Sequence, residues 1–202
     1  MSLLIYALCW LAFAVIHSIL ARQFIQLKLE VFLGCYYRLT YNLLAAIKII
    51  AVLYIGRILL SDTRFHLLEG TAAVVATVSV QLVGIMVLAV ALAAYDIGRF
   101  SGITQIVNKE RVSTSFNEPL QRRLLNKWVR HPLYTGALLV LWGGAVSSFG
   151  LCTALPGTLY LWIGTSFEER KLRNIYADEY RRYQQEVPRY FPALVVFKSR
   201  QR

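Results

Sequence analysis

The stretch PLYTGALLVLWGGAVSSFGLCTALPGTLYLWIGTSF, Pro132 to Phe167, runs for 36 residues without an acidic or basic side chain. As one helix rising 1.5 Å per residue it would be about 54 Å long, almost twice the roughly 30 Å hydrocarbon core of a bilayer. It must fold back on itself. Gly143-Gly144, Ser147-Ser148, Gly150 and Pro156-Gly157 are the small and helix-breaking residues at which it can reverse. The expectation is two helices, 132–148 and 152–167, joined near residues 148 to 152.

Further apolar runs lie upstream. Leu3 to Leu20 contains no Asp, Glu, Lys or Arg; residues 39–60 are interrupted by Lys48 and closed by Arg57; residues 71–95 carry no ionisable side chain except the terminal Tyr95. Each is long enough to cross a membrane. The chain of 202 residues is 57% hydrophobic and 16% charged, with a mean hydropathy of +0.50, more apolar than a soluble domain of this length. The fold class expected is all-α: one polytopic membrane helix bundle over residues 1–202, with about five transmembrane helices and a C-terminal cytoplasmic amphipathic helix.

The basic residues test this layout, because cytoplasmic loops carry the excess of Lys and Arg. Residues 22–38 hold three, 96–131 hold seven and 168–202 hold nine, out of 22. All of these fall on one side if the N-terminus is outside and the C-terminus cytoplasmic; a bacterial inner membrane is the expected location. The opening MSLLIYALCW lacks a basic leader and its apolar run ends at Arg22, so it reads as a retained helix. Residues 168–187 read as the amphipathic helix, with Leu172, Ile175, Tyr176, Tyr180, Tyr183 and Val187 at helical spacing. Cys9, Cys35 and Cys152 stand in no metal-binding or paired pattern, so no metal is expected.

Chemistry concentrates at the ends of the 132–167 hairpin. Val129-Arg130-His131-Pro132-Leu133-Tyr134-Thr135-Gly136 precedes it, with Pro132 suited to a helix's first turn; an interfacial anchor would have the same composition. Glu168-Glu169-Arg170 follows it, and the hairpin brings His131 and Glu168 to the same membrane face. A cationic metabolite could sit between them. The plainer role for the two glutamates is pairing with Lys171 or Arg173 along the helix.

RHPLYTG, a membrane hairpin, EERKL, EYRRY and VPRYFP, in that order over residues 129–192, resemble the isoprenylcysteine carboxyl methyltransferase and phospholipid methyltransferase group. The resemblance implies an S-adenosylmethionine-dependent methyltransferase, with a cofactor pocket lined by His131, Pro132, Leu133, Tyr134 and Glu168, and by Gln105 from the preceding loop. The chain departs from the group in two places. A glycine and an aromatic residue commonly precede RHP, where LLNKWV stands here. The arginine that serves a prenylated substrate, four residues before the first glutamate, is replaced by Gly164, which argues against a prenylcysteine carboxylate as acceptor.

AVIHSILAR followed by YYRLTYNLL is similar to the bacterial NnrU and methanethiol S-methyltransferase branch. His17 and Ser18 would lie near the cytoplasmic end of the first span, where the plainer role of His17 is a packing histidine bonded to a neighbouring carbonyl. Lys48 is an intramembrane charge that faces a cavity or snorkels. Lys48, Arg130 and Arg189 are candidates to steer an acidic acceptor; lipid phosphates are the alternative partners of the two arginines. The expected partners are S-adenosylmethionine, a lipophilic or small-molecule acceptor (thiol, carboxylate or lipid amine) and membrane lipids. No catalytic base is assigned, since methyl transfer mainly requires donor and acceptor to be held together away from water. The competing reading is a non-catalytic NnrU-like accessory protein. A transporter is disfavoured by spans nearly free of coupling residues, and nucleic acid by basic residues that follow topology and form no aromatic-interleaved patch.

Overall fold

The computed structural model describes residues 1–60, 70–110 and 119–192. Among them the chain forms α1 (Ser2–Leu20), α2 (Gln23–Leu33), α3 (Tyr37–Leu59), α4 (Thr71–Leu92), α5 (Ile97–Ser101), α6 (Ile103–Val107), α7 (Pro132–Gly143) and α8 (Ser148–Glu186). Short 3-10 turns occupy Gly34–Tyr36 and Leu124–Lys127. Of the 22 Lys and Arg residues, Arg64, Arg111, Lys198, Arg200 and Arg202 lie outside the described residues.

Three helical stretches among the described residues, Ser2–Leu20, Gln23–Leu59 and Thr71–Leu92, are long and apolar enough to cross a membrane. Their outer faces expose Leu4, Leu8 and Leu11 on α1, Ile47 and Ile50 on α3, and Leu82 and Met86 on α4. So extensive an apolar surface belongs against lipid. Inside, Tyr6, Trp10 and Phe13 of α1 pack against Val52 and Leu60. The Tyr6 ring lies directly on Gly56 of α3, where a Cβ would collide with it. The Tyr6 hydroxyl is 2.8 Å from the Thr153 hydroxyl, tying α1 to α8.

α4 and α7 meet backbone to backbone. A Cβ added to Gly84 or to Gly136 would stand 2.9 Å from the other's carbonyl oxygen. In lipid, helices gain little from burying apolar surface against each other, so close packing through small residues holds them together. This contact fixes the start of α7, and with it His131 and Tyr134.

The expected reversal of the charge-free stretch is present but lies earlier than residues 148 to 152. α7 stops at Gly143 and α8 starts at Ser148. Ser147 caps α8, its hydroxyl accepting from the Gly150 amide at 3.1 Å, and a Cβ on Gly150 would collide with the Gly144 carbonyl. The cap decides which of several breakers acts; Pro156 lies inside α8 and does not end it. α7, at 12 residues, is about 18 Å long and shorter than the expected 132–148 span.

Residues 168–187 also differ from the single helix expected. Glu169 and Gln184 would be about 22 Å apart along a straight helix, yet the Gln184 amide donates to Glu169 Oε2 at 3.0 Å. The chain folds back at Ala177, whose φ of 45° and ψ of −119° interrupt α8. Leu172 and Tyr176 before the break pack against Tyr180, Tyr183 and Val187 after it. The apolar positions that read as one stripe are two facing sides of a hairpin.

Candidate functional site

The site is assembled around Glu169, which is 1% exposed. Arg130 donates to its Oε1 from Nε at 2.9 Å and from Nη2 at 2.7 Å. Arg189 donates to Oε2 at 2.7 Å, and His131 Nε2 lies 3.2 Å from Oε1. Burial pushes the carboxyl pKa up, but hydrogen bonds from His131, Arg189 and Arg130 outweigh it and hold the group well below the usual carboxylate range. Arg130 also donates to the carbonyls of Gln184 and Val187.

This hub clamps the two motif segments together. The amides of Arg130 and His131 donate to the carbonyls of Pro188 and Arg189 at 2.8 and 3.0 Å. The Tyr190 hydroxyl donates to Thr165 at 2.8 Å, and the Thr135 hydroxyl donates to the Tyr190 carbonyl. His131 thereby becomes the residue before α7, with Pro132 in the helix's first turn.

Beside the hub opens a cavity of about 400 Å³, lined among others by Asn126, His131, Tyr134, Glu168, Tyr176 and Tyr180. The volume is that of a small-molecule site. Glu168 is 44% exposed, with Oε2 3.7 Å from His131 Nδ1, so the neighbouring glutamates divide: Glu169 is consumed inside the protein and Glu168 faces the cavity. The Asn126 side-chain oxygen and the Tyr180 hydroxyl are buried without a hydrogen-bond partner. Both are wall residues able to meet a polar ligand. Burial keeps the Tyr180 phenol protonated, with Glu169 adding to the effect; burial likewise pushes Tyr183 up to about 12 against the opposing influence of Asn126, Arg122 and Arg130.

His131, Pro132, Leu133, Tyr134 and Glu168 all line the cavity. Gln105 does not; it is buried in α6, donating from Nε2 to the Arg99 carbonyl at 3.2 Å. The preceding loop reaches the cavity through Phe100 instead, held by Asn42, which donates to the carbonyls of Phe100 and Ser101 at 2.9 and 3.1 Å. Arg130 and Arg189, read as steering groups for an acidic acceptor, are occupied by Glu169. Lys48 lies on α3, away from this cavity, as does His17 on α1. Asn126, Tyr180 and Tyr183 were not singled out by sequence: the first stands in the departing LLNKWV segment and the tyrosines read as part of an apolar stripe.

Fold and site together define an integral membrane helix bundle with a small-molecule cavity at the start of α7. Methanethiol S-methyltransferase 1 of Bradyrhizobium diazoefficiens is 31% identical over 206 residues, covering 95% of this chain and 67% of its own length. Methanethiol S-methyltransferase of Pseudomonas deceptionensis is 30% identical over 198 residues, covering 96% of this chain and 74% of its own. The chain belongs to the methanethiol S-methyltransferase family and is a membrane methyltransferase. No protein-family model and no solved structure matches it. Relatives named as enzymes do not favour the accessory-protein reading.

Proposed function

We propose that the protein is an S-adenosylmethionine-dependent S-methyltransferase acting on a small, apolar thiol. The observation that carries this reading is the cavity in which Glu168 stands open beside His131 and Tyr134. S-adenosylmethionine supplies, when bound, an electrophilic methyl group on a cationic sulfonium. The residues present fit such a ligand. Glu168 would hold its ammonium group, the unpartnered Asn126 oxygen and Tyr180 hydroxyl offer hydrogen bonds to the nucleoside, and the aromatic rings of Tyr134, Tyr176 and Tyr180 suit a sulfonium and a flat base. The thiol as acceptor comes from the names of the relatives and agrees with two arginines that are already paired.

The cavity residues orient the ligand and exclude water; the Glu169 hub keeps the RHPLYTG and VPRYFP segments in register. The proposal includes a five-pass topology in which the α7–α8 hairpin supplies the last two passes. It places the N-terminus outside, the C-terminus in the cytoplasm of a bacterial inner membrane and the cavity at the cytoplasmic side.

Isothermal titration of S-adenosylhomocysteine into the purified protein in detergent tests the reading. Micromolar binding is expected, weakened about 10- to 100-fold in Glu168→Gln, the range of a hydrogen bond to a charged group, and also weakened in Tyr134→Phe. Unchanged affinity in Glu168→Gln would remove that residue from the site, and no binding by folded wild type would sink the methyltransferase mechanism.

A further inference from the structure

The cavity wall contains two groups of side chains with different chemistry. His131, Tyr134 and Glu168 form one, the imidazole stacked on the Tyr134 ring at 5.5 Å and the open carboxylate of Glu168 beside it. Asn126, Tyr180 and Tyr183 form the other. The Tyr183 hydroxyl donates to the Asn126 carbonyl at 2.5 Å, the Tyr180 and Tyr183 rings meet edge to face at 5.9 Å, and Leu120 packs against both tyrosines. This second group lines the same cavity and carries no formal charge.

Asn126 is 4% exposed, and its amide has one favoured orientation. Nδ2 donates to the Arg130 carbonyl at 3.5 Å. Turning the amide over would set its oxygen against that carbonyl oxygen, acceptor to acceptor. Oδ1 is thereby directed away from Arg130, and it is buried with no hydrogen-bond partner. Tyr180 is 1% exposed and its hydroxyl is likewise unpartnered. The main chain beneath the amide is held separately, the Asn126 N–H donating to the Arg123 carbonyl at 3.0 Å. Polar atoms left unsatisfied in a buried wall are costly, and an oriented acceptor with a hydroxyl in the same wall calls for a ligand that completes both.

The cationic parts of S-adenosylmethionine are answered by Glu168 and the aromatic rings. Its base presents a fixed pattern: the exocyclic amino group of adenine only donates, and the ring nitrogens flanking it only accept. An acceptor accompanied by a hydroxyl that can donate is the complement of that edge. Hypoxanthine carries a carbonyl oxygen where adenine has the amino group, and that oxygen would meet Oδ1 acceptor to acceptor.

Resting on the methyltransferase reading above, we propose that Asn126 is the residue that selects the nucleobase of the methyl donor. Its Oδ1 accepts from the amino group of adenine, and the Tyr180 hydroxyl donates to an adjoining ring nitrogen. Arg130 and Tyr183 are positioning residues, the first through the carbonyl that orients the amide and the second through the hydroxyl that holds the Asn126 main chain. LLNKWV, where this chain lacks the glycine and aromatic residue that precede RHP in the group it resembles, thus contributes a base-reading side chain of its own.

Isothermal titration of two ligands into the protein in detergent tests this: S-adenosylhomocysteine and S-inosylhomocysteine, which differ only in the base. Wild type should bind the inosine ligand about 10- to 100-fold more weakly, the scale of one buried hydrogen bond lost with its acceptor left unsatisfied. Asn126→Leu, similar in size and lacking the acceptor, should weaken S-adenosylhomocysteine and bring the two ligands within about threefold of each other. Tyr180→Phe should weaken S-adenosylhomocysteine by about 10-fold. Glu168→Gln acts on the shared amino-acid tail, so it should weaken both ligands equally and keep the wild-type ratio. A wild type that binds both ligands alike, or a ratio that Asn126→Leu leaves unchanged, would overturn the assignment and give Asn126 to the ribose or to packing. Loss of both ligands in Asn126→Leu and Asn126→Ala alike would overturn it too, making Asn126 a structural residue. Folded wild type that binds neither ligand would instead refute the parent reading.

Discussion

Glu168 and Glu169 are adjacent and chemically identical, and the fold gives them opposite tasks. Glu169 pairs with two guanidinium groups, that of Arg130 buried and that of Arg189 partly exposed, so Glu169→Gln leaves the buried Arg130 without an anion. Breaking a buried ion pair from one side costs about 3–5 kcal/mol, and thermal unfolding in detergent should fall accordingly; Glu168→Gln should unfold close to wild type. The pH dependence has a definite sign. The Glu169 pKa lies below the ordinary 4.5 in the folded protein, so its stabilisation is complete above that value and is lost as pH falls below it. An acid titration of stability should steepen below about pH 4.5 in wild type and flatten there in Glu169→Gln; identical acid limbs would show that the hub does not govern acid stability. The sequence brings the glutamate pair beside His131, but the choice between neighbours depends on which one the helix turns inward.

At the scale of elements, two backbone features position the cavity. Ala177 adopts a positive φ that an L-residue with a Cβ tolerates poorly, a strain of about 1–3 kcal/mol. Ala177→Gly should raise the unfolding free energy by about 1 kcal/mol and leave ligand affinity intact; a decrease would mean the fold-back is not strained. The α4–α7 contact has no room for side chains at Gly84 and Gly136. Gly84→Leu should push α7 away, lowering stability by about 1–3 kcal/mol and reducing S-adenosylhomocysteine affinity, since α7 carries His131, Leu133 and Tyr134 at its start. Both features escape a periodicity reading. A hydrophobic stripe continues through a reversal unchanged, and glycine announces that an approach is possible without naming its partner.

For the whole molecule, the proposed orientation follows from where lysine and arginine lie. A C-terminal green fluorescent protein fusion should fluoresce in a bacterial host, and a C-terminal alkaline phosphatase fusion should be inactive; the reverse result would invert the topology and move the cavity to the other face. The bundle is held less by a deep apolar core than by local devices: Tyr6 on Gly56 and Thr153, glycine against glycine between α4 and α7, and one carboxylate at the junction of three segments. Each device joins residues far apart in the chain. α1, α3 and α8 meet at His17, Tyr41 and Tyr160 for the same reason.

Much of this was determined by the sequence alone. Charge-free runs longer than a bilayer is thick dictate membrane helices and at least one reversal, because unpaired backbone and ionised side chains are too costly in lipid. The motifs RHPLYTG, EERKL and EYRRY marked segments that line the cavity. Tertiary structure decided what those segments do with their charges. It gave Arg130 and Arg189 to Glu169, left Glu168 facing the cavity, left Gln105 outside it and folded residues 168–187 back on themselves. Those outcomes depend on burial and on contacts between residues dozens of positions apart, and neither spacing nor hydropathy encodes them.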